Sequence, residues 1–474
     1  MASANVIVVG AGPAGLLLAG DLASAGIQTT LIERHVHGSD LTRAFAVHAR
    51  TLEMLDARGI AEPLIERGRR VTELRVFGNA AIPISDLPSR FPFVLITPQY
   101  QVESLLEERA ARAGVEILRG TEAIGLHQDA DGVEVEVRDG EPRRAAYLVG
   151  ADGHRSTIRT VLGLPFPGRT VIKSVMLADV RLATDPPQTL ATNSKGHLFA
   201  FIVPFGDGYH RVIAWDASKQ VPETDPVDLE ELRRIVSSVL GTDFGMHDPR
   251  WTSRFHSDER QVPSYRVGRV FLTGDAAHEH SPAGGQGMNT GMQDSANLSW
   301  KLAQALSGGP DLLDSYHTER YPVGAAVIRG TGIMLRVAQA QTRLGFLHGA
   351  RDVVAAGAFR VPAVTRRLRR ALAGLSVSYP APPGANRLVG RRMPDIALLG
   401  PVPRLYEALR SSRFLLVSGE GSPREWNKRV ESVRPLRPDV PTILVRPDGY
   451  IAWASPDGTG LHQALTTWCG PSET

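Results

Sequence analysis

The amino-terminal stretch alternates short apolar strands with a longer apolar helix. Residues 6–9 are a continuous run of valine and isoleucine, which is typical of a fully buried strand. Apolar side chains then recur at helical spacing over residues 16–25, and a second apolar run covers residues 29–32. A strand, a helix and a second strand in this order predict a βαβ unit with a parallel sheet.

Further strands and helices follow at short intervals up to about residue 164. We predict them from apolar runs, from alternation of apolar and polar positions and from helical periodicity. The predicted helices cover residues 50–58 and 101–113, and the predicted strands cover residues 115–118, 123–126, 133–137 and 147–150.

Longer alternating strands begin near residue 165. The clearest are at residues 175–180, 198–203 and 211–215, with a helix over 229–240. Alternation of this kind is typical of an antiparallel sheet. We therefore expect an antiparallel sheet with one covered face, inserted between two parts of the parallel-sheet fold. Phe201 and Arg211 lie on it and are candidate pocket residues, with ordinary sheet packing as the alternative.

The remaining chain contains a strand, a glycine-rich loop and a run of helices before a small terminal unit. The strand at residues 270–272 ends in Gly274 and Asp275, and a helical pattern begins near Asn289. Helical segments continue to about residue 375 and are clearest at 312–320 and 323–336. Beyond a proline-rich linker, the terminal unit has predicted strands at 414–417, 442–445 and 450–454.

The composition is that of an ordinary globular enzyme. The chain has 474 residues, 42% of them hydrophobic and 22% charged, with a formal net charge of +3. The net charge is small and most arginines are scattered through the sequence, so nucleic-acid binding is not indicated. The single Cys469 excludes a disulfide framework and a cysteine-rich metal site. Glycine and proline interrupt the apolar start, so we expect neither a signal peptide nor a membrane span, and we expect a cytoplasmic enzyme without a metal.

The turn after the first strand carries a dinucleotide-binding fingerprint. Its sequence from Gly10 to Gly15 is GAGPAG, and Glu33 stands at the end of the second strand. Such glycines allow a tight turn, a close backbone approach to a pyrophosphate and close helix packing, while the carboxylate can bind a ribose hydroxyl. The fingerprint does not distinguish FAD from NAD. A glycine turn kept only for packing is the alternative.

The glycine-rich loop before the second long helix suits a flavin. Gly284, Gly285 and Gly287 have no Cβ, so backbone N–H groups can approach a ligand at the start of a helix whose dipole favours negative charge. Asp275 is placed to accept hydrogen bonds from the ribityl hydroxyls. The alternative is a glycine-rich turn such as any α/β protein contains.

Four polar residues outside these motifs are further candidates. Arg43 has small and apolar neighbours, which favours an inward side chain, although an arginine in such a loop is most often solvated. Gln101 begins a helix, where it could equally bond only its own backbone. Asp152, followed by Arg155, ends a strand at the edge of the sheet where ligands bind. A tight Asp-Gly turn would explain the same residues.

Three motifs therefore occur together in this chain. They are GAGPAG with Glu33-Arg34, the GADG of residues 150–153, and the Gly-Asp of residues 274–275 followed by PAGGQGMN at residues 282–289. In combination they resemble class A flavoprotein monooxygenases, the aromatic hydroxylase family. The chain is most similar to hydroxylases that tailor polycyclic aromatic polyketides, such as those of angucycline biosynthesis, and to rifampicin monooxygenases. The resemblance covers essentially the whole chain.

The resemblance implies an α/β fold in three parts. A Rossmann-like FAD-binding domain would comprise residues 1–164 and 261–375, with an antiparallel-sheet substrate domain inserted at 165–260. Residues 384–474 would form a thioredoxin-like C-terminal domain. That domain lacks a Cys-x-x-Cys motif, so we expect it to serve packing or assembly and not redox chemistry.

The resemblance also assigns roles to individual positions. The FAD pyrophosphate and adenosine ribose would be held by the first strand, turn and second strand, and Asp275 would bind the ribityl chain. Arg43 and Gln101 would contact the flavin end or its phosphates, while Asp152 and Arg155 match a motif linked to FAD and the pyridine nucleotide. The implied cofactor residues are Gly10, Gly12, Ala14, Gly15, Glu33, Arg34, Arg43, Gln101, Asp152, Arg155, Asp275, Pro282, Gly285, Gln286, Gly287, Met288 and Asn289.

The reaction implied by the resemblance uses FAD, NADPH or NADH, and O2. The reduced flavin adds O2 at C4a, and the hydroperoxide transfers its terminal oxygen to an electron-rich ring carbon of a phenol. The cofactor does the chemistry, so no catalytic side chain is assigned. The partner would be a small polycyclic aromatic molecule and neither nucleic acid nor a membrane, and the protein would be a monomer or homodimer.

Several other functions remain open from the sequence. The same scaffold could carry out Baeyer-Villiger oxygenation, or it could inactivate an aromatic antibiotic by oxidation. A NAD-dependent dehydrogenase would explain the fingerprint but not the later Gly-Asp motif. A non-catalytic flavin-binding protein would bind FAD without oxidising NADPH. A flavin halogenase should carry a Trp-x-Trp-x-Ile-Pro motif, which the sequence does not contain.

The proposed role of Asp275 can be tested by replacing it with alanine. Loss of a charge-assisted hydrogen bond to the ribityl chain should weaken FAD binding by about 1.5–3 kcal/mol. We expect Asp275→Ala to purify with little flavin, measured as the ratio of visible to ultraviolet absorbance. A variant that retains full FAD would contradict the assignment.

Overall fold

A computed structural model describes most of the chain. The described residues are 4–38, 44–77, 80–187, 189–219, 221–343, 362–419, 426 and 428–472. The candidate Arg43 lies outside them. Within these ranges, no helix combines the length and the apolar character that a membrane span requires.

The first part of the chain, up to Val161, supplies most of the nucleotide-binding fold. Its elements in chain order are β1 Ala4–Val9, α1 Pro13–Ser24, β2 Thr29–Glu33, β3 Ala46–Val47, α2 Ala49–Asp56, α3 Ala61–Glu66, β4 Arg69–Val71, β5 Glu73–Phe77, β6 Ala80–Pro83, β7 Val94–Ile96, α4 Gln99–Arg112, β8 Glu116–Arg119, β9 Ala123–Gln128, β10 Val133–Val137, β11 Arg143–Gly150 and α5 Thr157–Val161.

A second part contains long strands and then long helices. Its elements are β12 Gly168–Arg181, β13 Ala191–Lys195, β14 Leu198–Pro204, β15 His210–Asp216, α6 Leu229–Leu240, β16 His247–Gln261, β17 Arg266–Val267, β18 Val270–Leu272, a 3-10 helix Gly274–Ala276, β19 His278–Glu279, α7 Gly287–Leu306 and α8 Asp314–Arg343.

The third part is the small terminal unit and the helix before it. Its elements are α9 Pro362–Leu372, β20 Leu398–Leu399, α10 Leu405–Ala408, a 3-10 helix Leu409–Ser411, β21 Phe414–Val417, β22 Val430–Pro435, β23 Thr442–Val445, β24 Ile451–Ser455 and α11 Leu461–Cys469.

The sheet of the nucleotide fold is mainly parallel. Strands β8, β2, β1, β11 and β18 lie side by side in that order, all parallel, and β17 extends the β18 edge antiparallel. Helix α1 packs between this sheet and α7, and its residues Leu16, Leu17 and Leu18 have no exposed surface. An apolar helix of this kind is buried on all sides. The predicted βαβ unit is therefore confirmed.

Glycines make the turn between β1 and α1 possible. Gly10 has a φ of +107°, and a Cβ there would lie 2.4 Å from the carbonyl oxygen of Ala151, the residue that follows β11. A Cβ on Gly15 would lie 1.9 Å from the Gly10 carbonyl oxygen. A Cβ on Gly12 would meet no atom within 4 Å. Gly10 and Gly15 are thus required by packing, whereas Gly12 borders open space.

The second sheet is antiparallel, with strand order β13, β14, β15, β12, β16 and β19. Helix α6 covers one face through buried apolar residues that include Leu232 and Val236. Ile213 and Trp215 point from the opposite face into a second apolar cluster, which Leu335 of α8 joins. The predicted sheet is present, and the face that α6 leaves uncovered is directed towards the nucleotide fold.

Helix α8 differs from its prediction. The segments at 312–320 and 323–336 belong to one helix that runs through Pro322. Proline removes one backbone hydrogen bond from a helix interior. Buried side chains on both sides of it, Tyr316 and Leu335, keep the two halves packed against the rest of the protein.

Buried charges join the terminal sheet to the helices of the nucleotide fold. Arg446, which follows β23, donates to both carboxylate oxygens of Glu319 on α8, at 2.7 and 2.9 Å. Glu319 also accepts from Lys301 of α7 at 2.8 Å. Burial raises the pKa of Glu319, but the two cations outweigh that effect and lower it to about 2. The terminal unit is therefore attached through an ionic cluster from which water is excluded.

The stabilising effect of this cluster can be tested with Arg446→Ala. The substitution removes both hydrogen bonds that Arg446 donates to Glu319. Removing one partner of a buried ion pair lowers the free energy of unfolding by about 3–5 kcal/mol. We expect a clearly lower midpoint in chemical denaturation. The control is Arg437→Ala, because Arg437 pairs with Asp439 on the exposed surface and should leave the midpoint unchanged. Equal effects of the two substitutions would contradict this account.

The glycine turn allows a matched pair of substitutions. In Gly12→Ala the methyl group enters open space, so the apoprotein should keep its unfolding midpoint. It should bind FAD more weakly by about 1–3 kcal/mol, the cost of overpacking, because the pyrophosphate is expected there. Gly15→Ala should instead fail to fold stably. The unfolding midpoint of each apoprotein tests its folding, and titration with FAD tests its binding. An unchanged FAD affinity in Gly12→Ala would refute the assignment.

Candidate functional site

A cavity of about 920 Å³ lies along the carboxyl edge of the parallel sheet. The β1–α1 turn forms its floor, and the end of β2, helix α4 and the segment after β11 form its walls. Of the expected cofactor residues, it is lined by Gly10, Gly12, Glu33, Arg34, Asp152 and Arg155.

Glu33 is held firmly at the end of β2. Its carboxylate accepts hydrogen bonds from the backbone N–H groups of Ala11, at 2.8 Å, and His35, at 2.9 Å. Burial raises the pKa of Glu33, but these hydrogen bonds outweigh it and hold the pKa below its usual value. The carboxylate is thus ionised and oriented, as an acceptor for ribose hydroxyls must be.

Helix α4 contributes different residues from the one expected. The Gln101 side chain is directed towards Arg67, at 3.4 Å, and it does not line the cavity. Gln99 and Glu103 line it instead. Gln99 accepts from the Ala44 N–H at 3.1 Å and donates to Glu103 at 2.8 Å. Burial raises the pKa of Glu103 to about 7, with the nearby Glu33 carboxylate adding to the shift.

Asp152 and Arg155 are engaged with the protein itself. The Asp152 carboxylate accepts from the Ser156 hydroxyl at 2.5 Å and from the Ile158 N–H at 3.1 Å, so it caps the start of α5. Burial raises the pKa of Asp152. Arg155 is exposed and paired with Glu223, which lies in the loop between β15 and α6.

Asp275 lies in the segment between strand β18 and helix α7. Asp275 lies in the 3-10 helix that follows the strand, and its side chain is exposed. Gly274, with a φ of +58°, allows this helix to lie against Ala14 of α1 and Gly291 of α7. Gly274 therefore brings α1, α7 and the segment that carries Asp275 close together.

The loop before α7 is fixed by its own polar side chains. Asn289 is buried, and its Oδ1 accepts a hydrogen bond from the His48 N–H at 2.9 Å. Its Nδ2 donates to the carbonyl oxygens of Ala46 and Gly285, at 2.9 and 2.8 Å. Gln286 donates to the Leu372 carbonyl of α9 at 2.9 Å. These two amides shape the loop, while Gly287 and Met288 begin the helix.

His48 lies under the same loop. Its Nε2 is 2.9 Å from the Gly284 carbonyl oxygen and 3.3 Å from that of Gly285. Because both partners are acceptors, Nε2 carries the proton and Nδ1 is left with a lone pair. Burial lowers the pKa of His48 to about 4, so the ring is neutral at physiological pH.

A second cavity, of about 220 Å³, separates this loop from the inserted sheet. Its walls are almost entirely apolar, and no Asp, Glu, Lys or Arg of the described chain lines it. The sheet contributes two rings in stacked contact, Phe199 and Trp215, with centroids 3.9 Å apart. The other lining residues are Phe45, Ala46, His48, Val94, Ile96, Ile172, Leu190, Thr192, Phe201, Ile213, Ser281, Pro282, Ala283, Gly284, Gly285, Met334, Leu335 and Leu372.

The two candidates on the inserted sheet have different positions. Phe201 lines the apolar cavity and lies 5.8 Å from the Phe45 ring. Arg211 does not line it. Its guanidinium is fully buried and binds both oxygens of Asp179, at 2.7 and 2.8 Å. Its charge is paired with Asp179 inside the sheet, so the position of Arg211 agrees with the alternative of sheet packing.

Helix α7 carries a buried carboxylate, that of Asp294, which pairs with side chains of two neighbouring elements. Asp294 accepts from Arg320 of α8 and from His278 of β19, each at 2.6 Å. Burial alone would raise the pKa of Asp294, but Arg320 and His278 lower it below the usual value. This carboxylate ties the helix to both its neighbours.

The arrangement fits FAD. Gly12 borders open space at the pyrophosphate end, Glu33 offers an oriented carboxylate, and the start of α7 presents backbone N–H groups beside Asp275. The described residues contain no group of three or more His, Cys, Asp or Glu side chains arranged to hold a metal ion.

Several site residues were not identified from the sequence. Gln99, Glu103, His48 and Trp215 belong to no motif, and a buried histidine or tryptophan is usually a packing residue. Only the approach of β3, α7 and the inserted sheet in space brings His48 and Trp215 to one cavity.

Known proteins agree with this fold. Residues 3–331 match the family "FAD binding domain", and residues 386–472 match "Aromatic-ring hydroxylase, C-terminal". Rifampicin monooxygenase of Streptomyces venezuelae is 38% identical over 98% of each chain. Dialkyldecalin synthase of Streptomyces rugosporus is 36% identical over 99% of this chain and 100% of its own.

A solved structure extends the agreement to three dimensions. The OxyS anhydrotetracycline hydroxylase from Streptomyces rimosus superimposes with a TM-score of 0.87 and 35% identity, covering 99% of this chain and 100% of its own. The matches span both the FAD-binding part and the terminal sheet. The chain therefore belongs to the FAD-binding aromatic-ring hydroxylases and is an FAD-dependent monooxygenase.

Proposed function

We propose that this protein hydroxylates a polycyclic, polyketide-type aromatic compound at the expense of NADPH or NADH and O2. The observation that carries the proposal is the apolar cavity between the inserted sheet and the loop before α7. Its aromatic walls suit flat fused rings, and the loop that closes it contains the glycines expected beside the isoalloxazine.

When bound, FAD supplies the oxidation chemistry, with NAD(P)H reducing it and a C4a-hydroperoxide as the oxygen donor. The chain's own part is to bind, orient and exclude water. The start of α7 and the loop glycines would stabilise negative charge on the reduced ring. The apolar walls would keep water away from the reacting atoms and hold the substrate in one plane.

The division of labour among the three parts follows from the same placement. We propose that residues 165–260 hold the substrate, that residues 1–164 and 261–375 hold FAD, and that residues 384–474 form a thioredoxin-like domain with a packing role. Arg446 and the cluster around it support that role, and the buried Cys469, alone in the sequence, offers no redox pair. A cytoplasmic monomer or homodimer stays our expectation.

Other outcomes on the same scaffold are distinguishable by product. Baeyer-Villiger oxygenation inserts oxygen into a carbon–carbon bond beside a ketone, whereas hydroxylation adds a phenolic oxygen. Oxidative inactivation of an antibiotic would use the same chemistry on a different substrate.

The proposal predicts a yellow protein whose NADPH oxidation increases with a polycyclic phenol. Visible spectra, NADPH consumption with a panel of such phenols, and mass spectrometry of the products test it. We expect at least one product that is heavier by one oxygen atom, and this atom should be 18O when the reaction is run under 18O2. A yellow protein that binds the phenols but consumes no NADPH would contradict the proposal, and so would a colourless protein that takes up no FAD.

A further inference from the structure

Helix α4 presents one polar side chain per turn to the larger cavity. Gln99, Glu103 and Glu107 follow one another at i, i+4 spacing, which places them on one face of the helix. All three line the cavity, and Glu103 is only half-buried, so a ligand in the cavity can reach it. Glu33, at the end of β2, lines the same cavity. Glu103 and Glu33 therefore both face the space in which the FAD pyrophosphate and ribose are expected.

The neighbours of Glu103 differ from those of the other two carboxyl groups. Glu33 accepts hydrogen bonds from two backbone N–H groups. Glu107 accepts two from the Arg119 guanidinium, at 3.0 and 2.7 Å. Glu103 accepts from the Gln99 amide at 2.8 Å, and within the described part of the chain it forms no ion pair. Of these three carboxyl groups, Glu103 is the one with the least support for a negative charge.

The charges around Glu103 favour its neutral form. Burial raises the pKa of Glu103 to about 7, and the Glu33 and Glu107 carboxylates add to the shift, whereas Gln99 and Arg119 oppose it. An anionic pyrophosphate that displaces water from the cavity would favour the neutral form further. A protonated carboxyl group has an O–H donor, and an ionised one has only acceptors. The neutral form is therefore the one that complements phosphate and ribose oxygens.

We propose that Glu103 is a cofactor-binding residue that binds FAD as the neutral acid, donating a hydrogen bond from its carboxyl group to a ribose or pyrophosphate oxygen. The two glutamates of the cavity then have opposite roles, because Glu33 acts as an ionised acceptor and Glu103 as a neutral donor. The inference rests on the proposed function only in taking the larger cavity as the FAD site. It does not depend on the substrate or on the transfer of oxygen.

The test measures the dissociation constant of FAD as a function of pH. The FAD-loaded protein is equilibrated at each pH, and the free flavin is measured in an ultrafiltrate. The wild-type constant should be level below about pH 7 and should rise roughly tenfold between about pH 6 and pH 8, because FAD binds the form of the site that retains the proton. The FAD pyrophosphate does not change its charge in this range.

Glu103→Gln is the matched variant, because its amide keeps an N–H donor at the same place and does not titrate. It should bind FAD within about twofold of wild type at pH 6 and should show no rise by pH 8. Its profile also excludes the histidines of the cavity, which titrate in the same range; they are His35, His37 and His154. The control is Glu108→Gln, since Glu108 lines the cavity but is exposed to solvent and should keep the wild-type profile.

Three results would overturn the inference. They are a wild-type dissociation constant that does not change with pH, a Glu103→Gln variant that keeps the wild-type profile, and tighter binding at pH 8, which would show an ionised Glu103 accepting from a ribose hydroxyl. Failure of the proposed function would look different. A protein that oxidises no NADPH still shows the pH-dependent release of FAD, and a wrong location for FAD would leave its affinity unchanged in Gly12→Ala as well.

Discussion

The buried carboxylate of Asp294 is the constraint on which the site depends. It lies in α7 and is bound by Arg320 of α8 and His278 of β19, with no exposed surface on any of the three side chains. An unpaired charge in this position would be strongly destabilising, so the three elements must stay together. The start of α7 and the loop before it are positioned by that requirement, and with them the wall that this loop contributes to the apolar cavity.

The same principle attaches the terminal sheet. Lys301, Glu319, Arg446 and Asp448 form a second buried cluster, in which Arg446 reaches Asp448 at 2.5 Å as well as Glu319. Ion pairs of this kind add less net stability than their number suggests, but they allow only one arrangement of the parts. The terminal unit is therefore joined to α7 and α8 by buried charges, and none of its described residues lines either cavity.

Polar and apolar chemistry are separated along the site. The larger cavity has oriented carboxylates and backbone donors, which suit a phosphorylated nucleotide, and the smaller cavity has aromatic rings and no charged side chain among its described lining. The loop with Gly284 and Gly285 lines the smaller cavity and leads into α7.

The sequence by itself determined the features that depend on neighbours along the chain. The βαβ fingerprint, the antiparallel strands, Asp275 at the end of β18 and the family resemblance all follow from local pattern, because turns and short periodicities are set by consecutive residues. Only the tertiary structure decided the roles of Arg211, Asn289, His48 and Trp215. Their partners lie far away in the sequence, as with Asn289 and His48, and strand register and helix packing, which no local pattern encodes, bring them together.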